Sequence, residues 1–425
     1  MARVSAAVLP RQGPRPLPLQ LWNATGVWLS SRAALPLLRN GSLSSRQEFA
    51  DRARALQESL AAAAFDKLAA ALDFELRGRA GTFLSGIETY RHHPYRRDLA
   101  EPPVLWQEGT TRLLDYGTAG RAAPAVLIVP SLINRAYILD LAPDTSLVRH
   151  LAASGLRPLL VDWGSPGPHE RGFGLTEYIA GRLEMAAATA ETEADGPIGV
   201  VGYCMGGLLA LALAERRPRL VRALALLATP WGFHAGTAGP SARLLGALAE
   251  PLAQAFAPLG EVPVDLLQAL FTSVDPLVAL RKFTRFASLP SDSAAARQFV
   301  AVEDWLNDGV PLALNVAREC LGGWYAADLP ARGLWPVAGR PVLPARVSQP
   351  ALVVVPAQDR IVPPASAAAL ADALPAAERL NPTLGHIGMI VSADAPRQVW
   401  RPLTAWLRRH VPPPGSNPAR RSLFR

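Results

Sequence analysis

The sequence predicts an α/β fold, a mostly parallel, doubly wound sheet with helices on both faces, and three observations carry that prediction. Short, mostly continuous apolar runs, LLDYG at 113–117, PAVLIVPSLIN at 124–134, LRPLLVDWG at 156–164, PIGVVGY at 197–203, VRALALLATPW at 221–231 and QPALVVVPAQD at 349–359, each end in turn or polar residues. Helical stretches such as LEMAAATAETEA and MGGLLALALAERRP lie between them. Between about residues 233 and 348 the strand pattern stops and helical pieces rich in large apolar residues take over. Strands that are apolar throughout are buried on both faces, as in a parallel sheet whose crossover helices cover both sides. A helical insertion of that length between two core strands forms a cap over the carboxyl edge of the sheet, where such sheets bind their ligands.

The expected organisation is an N-terminal helical extension over 1–90 with a mobile start, an α/β core over 91–232 and 349–411, the cap over 233–348, and a disordered tail over 412–425. In the extension, the run from Ser45 to Arg77 places Phe49, Leu56, Leu60, Leu68 and Leu72 on one helical face, and Trp22 and Trp28 precede it. This segment is expected to dock as a helical pair, or to offer a hydrophobic surface to a partner or a lipid-like particle.

With 425 residues, half of them hydrophobic, the chain can bury a sizeable core. Its 43 basic and 35 acidic residues give a net charge of +8, but the arginines are scattered and no basic run alternates with aromatics, so nucleic acid is not an expected partner. Two cysteines, Cys204 and Cys320, make no disulfide framework and no metal site, which points to the cytoplasm. Neither a secretory leader nor a membrane span of eighteen apolar residues is expected. The phosphate-binding patterns GxGxxG and GxxxxGK[ST] are absent.

The chemistry centres on GYCMGG, residues 202–207. Strand, glycine-rich turn and helix follow one another there, which is the setting of a nucleophile elbow of the α/β-hydrolase fold, with Cys204 in the position of the nucleophile. The backbone N–H of Met205, at the start of the helix, faces the place where an oxyanion develops. A second donor comes from the loop after the strand at 124–129; Leu132, Ile133 or Asn134 can supply it, and Ile133 stands as the candidate. An elbow nucleophile needs a base and an acid that orients it, in the chain order nucleophile, acid, histidine. Asp359 follows a strand end in LVVVPAQDRIVPP and His386 lies in the turn NPTLGHIGMIV, so Cys204, Asp359 and His386 form the candidate triad. Asp372 and Asp394 follow no strand. His410 lies on an amphipathic terminal helix facing solvent, and His92, His93, His150, His169 and His234 are ordinary histidines. Asp162 is structural, Cys320 is a buried cap thiol, and Arg135 or Arg360 can meet phosphates near the entrance.

GYCMGG is similar to the cysteine-bearing lipase-like box of polyhydroxyalkanoate synthases. The similarity extends in order through PSLINRAYILDL, LLVDWGSP, VEDWLNDG, QDRIVPP and GHIGMIVS, from about residue 90 to residue 407. The DWG and GHIG forms look most like the shorter synthases that work with a second subunit. The N-terminal helical segment is longer than theirs and shorter than that of single-subunit synthases, and HHPYRRDLAEPP at 92–103 matches neither pattern. The resemblance implies that Cys204 is acylated, His386 is the general base, and Asp359 orients the histidine or helps activate the substrate hydroxyl. It implies (R)-3-hydroxyacyl-CoA as substrate, coenzyme A as product with no further cofactor, a growing polyester at a cytoplasmic granule surface, a second synthase subunit and a homodimer.

Acyl transfer from a thioester to a thiolate is nearly balanced, and the acyl-enzyme remains a good donor to an alcohol. A neighbouring imidazole and a helix N-terminus favour the thiolate of a group whose free pKa is about 8.5, and a cap excludes water as a competitor. The same triad with water as acceptor gives a thioesterase or an intracellular depolymerase, and a third reading is a non-catalytic granule-associated protein.

Overall fold

The computed structural model describes residues 10–118 and 120–413. Nearly all of the tail expected over 412–425, and the first nine residues of the expected mobile start, lie outside that range. The chain divides into two compact units, residues 1–96 with 268–307, and residues 97–267 with 308–425.

The first unit is helical, with Leu17–Arg39, Ala50–Ala61 and Phe65–His92 joined by Val278–Phe286 and Ala294–Asn307. Residues 268–307, which the sequence places inside the cap, thus go with the N-terminal helices. Aromatic packing explains the grouping: the buried Phe283 ring meets Phe83, Tyr90 and Phe299 edge-on at 6.5, 5.6 and 5.3 Å, and Phe286 stacks on Phe299 at 4.2 Å. Such ring pairs contribute about 0.5–1.5 kcal/mol each beyond their buried area. Glu303 is buried beside them, its carboxyl pushed up by burial against the opposing pull of Lys282 at 2.6 Å. The single helical face expected from Phe49 to Leu72 does not form. The helix breaks at residues 62–64, where Arg39 donates to the Ala63 carbonyl at 3.0 Å, and Phe49 and Leu56 are exposed.

The second unit is built on an eight-stranded sheet: β1 (Val104–Glu108), β2 (Thr111–Asp115), β3 (Ala125–Val129), β4 (Arg157–Asp162), β5 (Ile198–Tyr203), β6 (Val221–Leu227), β7 (Ala351–Val354) and β8 (Ala377–Leu380). The order across the sheet is β1-β2-β4-β3-β5-β6-β7-β8. The pairs β1/β2 and β2/β4 are antiparallel and all others parallel. Strands β3, β5 and β7 are buried at every residue, which is why their sequences run apolar without alternation. The helix Met205–Arg216 after β5 has ten of its twelve residues buried, as befits an element packed on all sides. Residues 233–267 and 308–348 carry the helices Gly239–Gly246, Ala249–Phe256 and Leu314–Arg318 and the π-helical turn Glu319–Ala326. Among the described residues no helix is long and apolar enough to cross a membrane.

The approach of β3, β5 and the following helix is so close that it requires glycine. A Cβ on Gly202 would lie 2.4 Å from Gly207 Cα, and one on Gly206 would lie 2.1 Å from the Val129 carbonyl oxygen, a backbone atom that cannot swing aside. Gly206→Ala is therefore expected to destabilise the protein by about 3 kcal/mol, as overpacking does, read as a lowered urea midpoint in tryptophan fluorescence.

Candidate active site

Strand β5 ends at Tyr203, the helix begins at Met205, and Cys204 between them adopts φ 55° and ψ −128°. A non-glycine residue at positive φ is strained, at a cost of about 1–3 kcal/mol. Two backbone hydrogen bonds hold it: Cys204 N–H donates to Leu227 O at 2.8 Å, and Gly207 N–H donates to Cys204 O at 2.9 Å. The turn leaves Cys204 partly exposed at the carboxyl edge of the sheet, whereas Cys320 is buried and its thiol pushed well up by burial. As the first residue of its helix, Met205 has an N–H with no intrahelical acceptor, and the helix N-terminus favours negative charge beside it.

Asp359 lies in the loop after β7, and its side chain is fully buried. One carboxylate oxygen accepts the backbone N–H groups of Ile361 and Val362 at 2.9 and 2.8 Å. The other lies 2.7 Å from His386 Nδ1, in the turn after β8. Holding Nδ1–H on Asp359 leaves Nε2 for Cys204. Burial of the ring works to lower the His386 pKa, but the facing Cys204 and the Asp359 carboxylate outweigh it, and the pKa is raised to about 10. The folded value lies above the free one. This contribution to stability is thus complete below about pH 6.5 and is lost as pH rises through about 10. The three candidate residues therefore come together, from three separate loops at one sheet edge.

Other expectations fare differently. The Ile133 N–H donates to Ser131 Oγ at 3.1 Å, so this candidate second oxyanion donor is already engaged within its own loop. Asp162 pairs with Arg112 at 2.6 Å and accepts the Gly164 N–H. Arg135 pairs with Asp308 at 3.5 Å. His410 packs at a tilt against Trp406 and faces Glu378 at 3.4 Å rather than pointing freely into solvent. His92 meets Glu88, His93 bonds the Ser291 carbonyl, His150 packs at a tilt against Trp400 and His169 meets Phe173 edge-on. Among the described residues no three of His, Cys, Asp and Glu are grouped to hold a metal ion.

Two tyrosines at the site carried no signal in the sequence beyond their position. Tyr203, the last residue of β5, stacks its ring on His386 and donates its hydroxyl to the His386 carbonyl. Tyr325, in the turn Glu319–Ala326, has its hydroxyl pushed up by burial and then by the nearness of Cys204 and Cys320. Its backbone is clamped: His234 bonds the Tyr325 carbonyl at 2.8 Å, Phe233 packs edge-on against the ring at 4.9 Å, and the N–H groups of Phe233 and His234 donate to Asp328.

Residues 124–393 match the family described as alpha/beta hydrolase fold. The chain is 29% identical over 309 residues to the poly(3-hydroxyalkanoate) polymerase subunit PhaC of Haloferax mediterranei, a match covering 71% of this chain and 63% of that one, so the chain spans less than two thirds of that relative's length. It is 30% identical over 292 residues to the subunit of the same name in Synechocystis sp., covering 66% of this chain and 77% of that one. With the subunit of Thiocystis violacea it shares 28% identity, over 72% of this chain and 87% of the other. A chain with this sheet order, this elbow and these relatives belongs to the alpha/beta-hydrolase fold and, within it, to the poly(3-hydroxyalkanoate) polymerase family.

Proposed function

We propose that the chain is an acyltransferase that takes (R)-3-hydroxyacyl groups from coenzyme A and polymerises them through a thioester on Cys204. The observation that carries the reading is the line from Asp359 through His386, joined at 2.7 Å, to a cysteine on a strained elbow. In the first step the Cys204 thiolate attacks the thioester carbonyl; the new carbon–sulfur bond to Cys204 forms, the bond to coenzyme A breaks, and the His386 proton leaves with the coenzyme A sulfur. In the second step a substrate or chain-end hydroxyl gives its proton to His386 Nε2 and attacks the acyl-cysteine. An oxoester forms and the Cys204 thiolate is regenerated. The Met205 N–H stabilises the tetrahedral oxyanion in both steps. Asp359 keeps the imidazole in the required tautomer.

The relatives are named as polymerase subunits, and we assign this chain the same role, working with a further subunit at the surface of the polyester it makes. The helical unit exposes Trp22, Leu29 and Phe74, apolar side chains suited to such surroundings.

Purified protein given 3-hydroxybutyryl-CoA is expected to release coenzyme A and form insoluble polyester. Cys204→Ala removes both activities, by on the order of a thousand-fold or more, and Asp359→Asn costs on the order of a hundred- to ten-thousand-fold. Free hydroxyacid in place of polymer overturns the transferase reading in favour of a hydrolase, and coenzyme A release undiminished in Cys204→Ala removes the mechanism altogether.

The charge pair makes a second expectation. The His386 imidazole is expected to titrate near pH 10, well above the free value of about 6.5. In Cys204→Ser, which removes the facing thiol, that midpoint moves down towards the free value. NMR of labelled histidine across a pH series follows both.

A further inference from the structure

The base of this site is held from two sides, and only one of them belongs to the triad. Asp359 takes the ring nitrogen. Opposite it, the Tyr203 ring lies 5.2 Å from the imidazole with 28° between the planes, and the Tyr203 hydroxyl donates to the His386 backbone carbonyl at 3.2 Å. Tyr203 is itself buried within the sheet as the last residue of β5. The hydroxyl thus bridges 183 positions of chain and ends one residue from the nucleophile. An error in where the β8 turn settles would move His386 against Cys204, and this bond ties that turn directly to the elbow.

We propose that Tyr203 is a positioning residue for the base: its hydroxyl fixes the His386 turn relative to Cys204, and its ring is the face on which the imidazolium rests. This inference rests on the Cys204–His386 reading above. The stack has the geometry in which an aromatic face attracts a cation, an attraction that grows when both groups are shielded from water. Tyr203 stays a donor while doing so, because burial and then the neighbouring Cys204 and Asp359 push its hydroxyl pKa well up. The ionisable groups facing His386 are Cys204 and Tyr203 from the elbow and Asp359 from the loop after β7, with Tyr325 of the cap close to Cys204.

Two variants separate the two roles. Tyr203→Phe keeps the ring and loses the hydroxyl; kcat for coenzyme A release from 3-hydroxybutyryl-CoA falls about five-fold, the typical effect of one hydrogen bond, at unchanged KM, and the His386 titration midpoint stays in place. Tyr203→Leu loses both, and that midpoint falls by about one pH unit. A role confined to packing would not move the midpoint. Wild-type kcat in Tyr203→Phe overturns the proposal, and so does an unmoved midpoint in folded Tyr203→Leu. Should Tyr203→Leu fail to fold, Tyr203→Phe decides alone, since it differs by one oxygen. A native His386 midpoint near the free value of about 6.5 overturns the Cys204–His386 pair instead, which keeps the two failures apart.

Discussion

Everything at this site depends on one strained residue. Cys204 turns the chain at φ 55° from β5 into its helix, and it can do so only because glycine at 202, 206 and 207 lets strand and helix close to within contact of their backbones. The strain is offset by the burial around it: all of β5 and ten residues of the helix are inaccessible, so the turn cannot relax without unpacking the middle of the sheet. The same turn fixes the electrostatics. It places the sulfur at the helix N-terminus, though not bonded to its N–H groups, and beside an imidazole whose proton is retained to about pH 10 by the two groups beside it.

That arrangement also explains why the elbow carries sulfur. A serine ester at the same place would lie close in energy to the oxoester product, so transfer to an alcohol would have little drive. A thioester on Cys204 would be downhill to an oxoester and level with the incoming donor, which suits the repeated acylation and discharge of the proposed cycle. In that proposal the imidazolium serves both halves. It would stabilise the thiolate before attack and, once it has given its proton to the leaving sulfur, would become the base for the acceptor hydroxyl.

The sequence made the central strands and the elbow readable because burial on both faces writes itself as uninterrupted apolar residues. β1 and β8 were not readable for the converse reason: VLWQE and AERL form sheet edges, are half-exposed, and carry charges like any loop. The proximity of Cys204, Asp359 and His386 was readable from strand ends and chain order, since parallel strands deliver their following loops to one edge. What local pattern could not supply was long-range. The grouping of 268–307 with the N-terminal helices follows from aromatic rings scattered between residues 83 and 299. The engagement of Ile133 follows from one serine hydroxyl, and the break at 62–64 occurs among alanines that favour helix, so no propensity announces it. Tyr203 stood in plain view in GYC, but its partner lies 183 residues away.

The choice between alcohol and water as acceptor then turns on what surrounds the acyl-cysteine. Cys204 and Tyr325 both pack against one continuous apolar cluster that contains Phe233, Trp324 and Trp335 from the cap and the loop after β6. These rings interlock, Phe233 stacking on Trp324 at 5.8 Å and Trp324 meeting Trp335 edge-on at 5.3 Å. These rings offer an acyl chain a surface of its own polarity, while the buried indole N–H groups of Trp324 and Trp335 are left without a partner among the described residues. A hydroxyl carried on such a chain arrives already held beside the thioester, with the advantage in effective concentration that an intramolecular reactant has over solvent. In the proposed cycle such an apolar surface would favour ester formation by raising the effective concentration of the chain-borne alcohol beside the sulfur, with no change to Cys204, Asp359 or His386.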